Sequence, residues 1–281
     1  MVHFTHYLLT LHRKTSSLFL LEYKHKKKTM TERALDIEQT MLSLANEKNA
    51  KILMRFFKTG KGQYGEGDSF LGVKNPQTRM VVKEAWKSTT IEDATDLIRN
   101  KWHEIRLCGL LILVEHFQRA KKQKDDATMT EIFNKYVSLH KHINNWDLVD
   151  LSVYKIVGEY EILHPEVTLI KEWISPDYSL WQQRISMVAT WIHIRYDKYD
   201  ELIRRAEVLL GSKEDLLHKA AGWMLREMYK HDILGKQELS CFLERNAGRI
   251  PSTMLSYACE KMGEQERMHW RELNKTGKTN S

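Results

Sequence analysis

Five stretches of this chain repeat one pattern at a nearly fixed interval. Arg106-Leu107-Cys108-Gly109-Leu110, Asp150-Leu151-Ser152-Val153-Tyr154, Arg184-Ile185-Ser186-Met187-Val188, Lys219-Ala220-Ala221-Gly222-Trp223 and Met254-Leu255-Ser256-Tyr257-Ala258 share it. Each puts an apolar residue one place after the first, a small one two places after, and an apolar or aromatic one four places after. Their first residues stand 44, 34, 35 and 35 positions apart. An interval of that length holds two helices and their connections, and each such pair buries its apolar face on the next. The small residue lets neighbouring helices approach closely. What satisfies all five stretches is a stack of helix pairs, with one helix of each pair on the inner side.

Composition supports this. Only 4 prolines and 13 glycines occur in 281 residues, among abundant Leu, Glu, Lys, Met and Ala, which favours helix over sheet. From Met30 onward, amphipathic runs of roughly 10–18 residues succeed one another. They break at Asn75-Pro76, His164-Pro165, Ser175-Pro176 and Ile250-Pro251. The expected fold is all-α, a HEAT-like or armadillo-like helical-repeat solenoid with a concave basic face. The expected boundaries are a loosely ordered extension over residues 1–29, a repeat domain over 30–262 and a tail over 263–281.

Three cysteines far apart, with no CxxC pair, read as reduced thiols in a cytoplasmic protein. The apolar run Ser17-Leu18-Phe19-Leu20-Leu21 is too short for a signal-peptide core, and nothing in the sequence spans a membrane. No metal site is expected, because His103-Glu104 lacks the second histidine of HExxH. The glycine-rich run from Gly60 to Asp68 lacks a phosphate-loop ending and is expected to be a flexible connector, with Lys58, Lys61 and Tyr64 near any bound backbone. A formal net charge of +7 makes a polyanion the better guess for a partner, since clustered cations gain free energy by displacing counterions from phosphates.

The first residue of each stretch lies at the polar edge of an inner helix. Three of the five are cations: Arg106, Arg184 and Lys219. They either line a basic groove or merely close helix faces in solvent. Asp150 is the exception in sign. Trp146 stands one turn before it and Trp223 one turn after Lys219, so each indole shares a helix face with its unit's first residue. Trp102 stands likewise before Arg106, so an indole there also serves as plain core filling.

At these residues the chain resembles the AlkD family of DNA alkylation repair glycosylases. The matching stretches are Phe70-Leu71-Gly72-Val73-Lys74-Asn75-Pro76, Asn145-Trp146-Asp147-Leu148-Val149-Asp150, Leu180-Trp181-Gln182-Gln183-Arg184, and His218-Lys219-Ala220-Ala221-Gly222-Trp223-Met224-Leu225-Arg226-Glu227. They keep the family's order over about residues 30–262. The resemblance implies that Trp146, Asp150 and Trp223 are the active-site residues and that Arg184 contacts DNA. Lys74 matches a position near the opposite strand. Lys219, and with it Arg106 and Arg226, would grip phosphates; Arg226 alternatively pairs with Glu227. By the same likeness the partner is double-stranded DNA carrying alkylated purines, recognised from the backbone side; for a groove that wraps duplex DNA a monomer is expected, and no cofactor is expected. No lysine stands where the family would support Schiff-base strand cleavage, which implies a monofunctional glycosylase. Two other readings stay open: a catalytically silent DNA-binding paralogue, and a helical scaffold that binds protein.

The chemistry fits these residue types. Alkylation of a purine at N7 or N3 makes the base a cation and a good leaving group. The difficult part is the positive charge that grows on the deoxyribose as the glycosidic bond breaks. A carboxylate held near that sugar lowers the barrier, more so in a partly dehydrated groove. Indole faces attract cations, by about 0.5–2 kcal/mol, and so favour the charged lesion over a neutral nucleotide.

Overall fold

The structure, a computed structural model, describes residues 30–279; the expected extension over 1–29 lies outside them. Among the described residues the secondary structure is helical, without a β-strand beyond an isolated bridge between Ser69 and Trp102. This is an all-α helical-repeat fold. No described helix is long and apolar enough to cross a membrane. The chain divides into two compact units, one ending at Leu113 and one beginning at Val114, where the sequence suggested a single repeat domain.

The first unit contains α1 (Glu32–Ser43), α2 (Glu47–Phe56), α3 (Asn75–Ala85), α4 (Ile91–Ile98) and the start of α5 (His103–Gln123). Thr31 caps α1 by accepting from the Ala34 N–H, and its own N–H donates to Asp96 at 2.9 Å, which ties the start of α1 to α4. Ala34, Leu35, Ile37 and Met41 bury the inner face of α1. The segment leading into α3 is held by a single carboxylate. Glu104, buried on α5, accepts from three successive N–H groups, Leu71 at 2.8 Å, Gly72 at 2.8 Å and Val73 at 3.2 Å. The run Gly60 to Asp68 forms turns and ends in a buried residue rather than a free connector. Lys58 lies 5.8 Å from the centroid of the Tyr64 ring.

The second unit contains α6 (Asp126–Ser138), α7 (Trp146–Val153), a π-helical turn over Tyr154–Gly158, α8 (Glu159–Leu163), α9 (Leu169–Glu172), α10 (Leu180–Ala189), α11 (Trp191–Ile194), α12 (Asp200–Val208), α13 (Asp215–His231), α14 (Ile233–Arg245), α15 (Ser252–Ala258) and α16 (Glu264–Thr279). The repeat governs the order of packing: α7 lies on α10, α10 on α13, and α13 on α15. Most of the small third residues of the pattern lie between helices, as their size suggests. Cys108, Ser152, Ser186 and Ala221 are buried at 0 % exposure. Ser256, in the last stretch, is exposed. Two glycines allow close crossings within this stack. A Cβ on Gly158 would stand 2.4 Å from the Ala189 carbonyl, and one on Gly222 would stand 2.6 Å from the Met254 carbonyl.

Residues 263–281 were expected as a tail, yet Glu264–Thr279 is a helix that buries Trp270 and Asn274. The three cysteines are free thiols; Cys108 and Cys259 are buried, and burial pushes both up to about 12, whereas Cys241 is exposed.

Candidate active site

The helix that carries Asp150 begins at an asparagine. Asn145 caps α7, its side chain accepting the Trp146 N–H at 2.9 Å, while Asp147 is buried and accepts from the Leu148 N–H at 2.9 Å. The cap is therefore Asn145, and Asp147 lies in the first turn. Trp146, Asp150 and Tyr154 recur at intervals of four, so they share one face, and all three are partly exposed.

Asp150 is answered by the first residue of the next repeat. Arg184 on α10 donates from Nε to Oδ1 at 3.0 Å and from Nη2 to Oδ2 at 2.7 Å. This two-pronged pairing is the strongest common geometry for a guanidinium and a carboxylate. The third prong of Arg184, Nη1, donates to the Leu216 carbonyl on α13 at 2.6 Å. One side chain thus joins three successive inner helices at the level of the carboxylate. The Asp150 side chain keeps 15 % of its surface and that of Arg184 only 6 %. Burial pushes the Asp150 carboxyl above the usual range; the charge and hydrogen bonds of Arg184 oppose that shift, and Asp147 adds to it.

On α13 the residues Leu216, Lys219, Trp223 and Arg226 recur at helical spacing, and every one is partly exposed, while Leu217, Ala220, Ala221, Met224 and Leu225 between them are buried. The face that receives Arg184 at Leu216 therefore continues through Lys219 to Trp223. Lys219 pairs with Asp215 at 2.8 Å and keeps 38 % of its side-chain surface. Arg226 pairs with Glu227 at 3.2 Å and with Glu260.

Two arginines expected to grip phosphates do not offer their guanidinium groups to solvent. Arg106, in the first unit, is 6 % exposed; it donates to Asp68 at 2.7 Å and to the carbonyls of Asn100 at 3.3 Å and Lys101 at 3.1 Å. The reason is the buried Asp68 carboxylate, which also takes His103 Nδ1 at 2.7 Å. Arg184 is likewise committed, to Asp150. Lys74, also in the first unit, is exposed at the start of α3.

Sequence reasoning gave no role to three aromatic residues beside the site. Trp181 precedes Arg184 by one turn on α10 and is partly exposed. Tyr154 meets Trp191 with ring centroids 4.6 Å apart at 54°, and Arg195 lies over Trp191 at 5.6 Å. A shallow groove of about 360 Å³ continues from there, lined by Trp191, Ile194, Arg195, Glu227, Lys230 and His231. The usable signal was spacing: Tyr154 stands four residues after Asp150, and Trp181 three before Arg184.

One group of side chains has the composition of a metal site. Asp197, His231 and Asp232 place ligand atoms within 4.8 Å of one another at the surface. Asp232 already accepts from the Gly235 N–H at 2.6 Å and the Tyr199 hydroxyl at 3.0 Å, and His231 pairs with Asp197 at 3.0 Å. These contacts account for the three side chains without an ion.

With this geometry in place, likeness to known proteins decides the family. Residues 37–262 match the family described as DNA alkylation repair enzyme. The chain belongs to that family. Its role therefore lies in the repair of alkylated DNA. A solved structure described as a predicted DNA alkylation repair enzyme from Enterococcus faecalis has the same fold, with a TM-score of 0.58 and 17 % identity over 78 % of this chain and 97 % of that one. No curated protein matches the chain.

Proposed function

We propose that this member of the DNA alkylation repair enzyme family is a monofunctional DNA glycosylase, which removes cationic N3- and N7-alkylated purines from duplex DNA as the first step of base excision repair. The observation that carries the reading is Asp150, a nearly buried carboxylate fixed by Arg184 and left open along one edge. It stands one turn from Trp146, and Arg184 ties it to the helix that presents Trp223.

In this reaction the bond between C1′ and the purine nitrogen breaks, and its electron pair neutralises the alkylated base. Positive charge collects on the sugar. Asp150 stabilises that charge, water adds to C1′, and its proton passes to Asp150 or to solvent. Arg184 keeps the carboxylate ionised against its burial and fixes its orientation, so little reorganisation is needed in the transition state. An ionised carboxylate has about four acceptor positions, and two are used by Arg184, which leaves capacity for a sugar cation or water. Trp146 and Trp223 favour charged lesions through their faces. Phosphates are held by exposed cations beside this face, Lys219, Arg195 and Lys230, rather than by Arg184 or Arg106. The Lys219–Asp215 and Lys230–Glu227 pairs are solvent-exposed and weak enough to exchange for phosphate.

A second reading has an observation of its own. A carboxylate with both oxygens on one guanidinium is largely neutralised, as suits a catalytically silent DNA-binding protein. Release of free 7-methylguanine from a duplex separates the two. Release by the wild type, reduced on the order of 100- to 1000-fold in Asp150→Asn, is the expected outcome. Equal release by both proteins removes Asp150 from the mechanism, and binding without release by either favours the silent protein.

A further inference from the structure

The last helix, α16, lies beyond the residues that match the family, and it is fastened to the second unit. Trp270 is 6 % exposed. Asn274 accepts from the Gly248 N–H at 2.9 Å and the Ile250 N–H at 3.3 Å, and it donates to the Ile250 carbonyl at 3.0 Å. These contacts fasten α16 to the connection between α14 and α15, and a groove of about 370 Å³ lies between α15 and α16.

Ser252 and Ser256, one turn apart on α15, line one wall of this groove, and Arg271 and Lys275, one turn apart on α16, line the other. All four are exposed. Among the described residues no carboxylate pairs with Arg271 or Lys275, in contrast to Lys219, Arg226 and Lys230 on α13. Ser256 is also the one small residue of the repeat pattern that no neighbouring helix covers. Two cations without counter-charge face two hydroxyl donors, which is the donor set for a phosphate monoanion: a guanidinium fork, an ammonium and O–H groups.

A strand of duplex DNA is the source of phosphate that position favours. The groove borders α15, which packs directly on α13, the helix of Lys219 and Trp223. Packed helices lie about 8–10 Å apart, so the groove lies within one duplex turn, roughly 34–36 Å, of α13. We propose that Arg271 and Lys275, with the hydroxyls of Ser252 and Ser256, grip the DNA backbone beside the lesion. This rests on the reading that the chain acts on duplex DNA, and it adds an anchor built by a helix outside the family segment.

The test is the salt dependence of binding to an undamaged duplex, measured by fluorescence anisotropy for the wild type and for the Arg271→Gln/Lys275→Gln double variant. Each phosphate contact adds about 0.9 to the slope of log affinity against log salt, so losing the one phosphate held in the groove is expected to make the double variant shallower by about 0.9. Between 50 and 200 mM salt that slope change amounts to roughly a three- to fourfold difference in relative affinity. The Arg271→Lys/Lys275→Arg exchange keeps both charges and is expected to restore most of the slope. Unchanged slope in the neutral variant, or no recovery in the charge-preserving one, overturns the groove assignment. A wild type that binds duplex without releasing base leaves the groove standing while the glycosylase reading falls. A wild type that binds no duplex overturns both.

Discussion

Two opposed influences act on the Asp150 carboxyl, its burial and the guanidinium of Arg184. Burial dominates and raises the carboxyl, and Arg184 pulls it back. A group that must be ionised to work loses activity as pH falls through its pKa. The acid limb of single-turnover base release is therefore expected above the ordinary aspartate value of about 3.9. Arg184→Gln removes the lowering influence, so the acid limb should move to higher pH. An unmoved limb, with release merely scaled down, would show that Arg184 only packs. At this scale the sequence was partly legible. Asp150 stood out by sign alone, and Trp146 and Trp223 by their spacing from a repeat position. The commitment of Arg184 to it was not read, although the repeat made them counterparts in adjacent units. A pattern that records position and period carries no information on which polar side chains find each other across the packing.

Among the elements, the connection that leads into α3 depends on two buried carboxylates of the first unit. Glu104 gathers three backbone N–H groups, and Asp68 binds both His103 and Arg106. Burial alone would raise the Asp68 carboxyl, but the hydrogen bond and charge of His103, and Arg106 with them, outweigh it and bring it to about 2. A folded-state value below the unfolded one contributes stability above pH ~4, and that contribution is lost as pH falls through about 2. Its size is about 2.5 kcal/mol. Asp68→Asn should cost roughly 3–5 kcal/mol near neutrality, because it strands Arg106 in the interior. Urea unfolding of both proteins at neutral pH and near the acid limit checks this; the gap between them should narrow in acid, and a constant gap would count against the assignment. The sequence hid this centre because Asp68 closes a glycine-rich run outside the repeat, 38 residues from Arg106. With no period to place it, Arg106 read as a surface cation.

For the whole molecule, the net charge of +7 leaves a surplus for DNA even after the two inner arginines are discounted. Duplex affinity should fall steeply with salt, and the slope divided by about 0.9 counts the phosphates neutralised. A slope near zero would mean that the surplus charge plays no part in binding. The helical architecture was legible throughout, since small residues every 34 or 35 positions leave few alternatives to stacked helix pairs. The final helix was not, because Glu264–Thr279 is strongly charged and comes after the last repeat, so its two buried residues give too little apolar periodicity to mark it.

The π-helical turn after Asp150 also decides how many acids the reactive surface carries. Glu161 stands eleven residues after Asp150, and in an uninterrupted α-helix that separation would stack the two carboxylates within about 20° of each other. The wider turn over Tyr154–Gly158 takes up one extra residue and swings the succeeding residues aside by roughly a quarter of a revolution. Glu161 is thereby sent inward, where Arg205 meets it at 2.6 Å with neither side chain exposed. The face that carries Asp150 thus gains no second carboxylate from Glu161, and Asp147 remains the like charge that acts on Asp150.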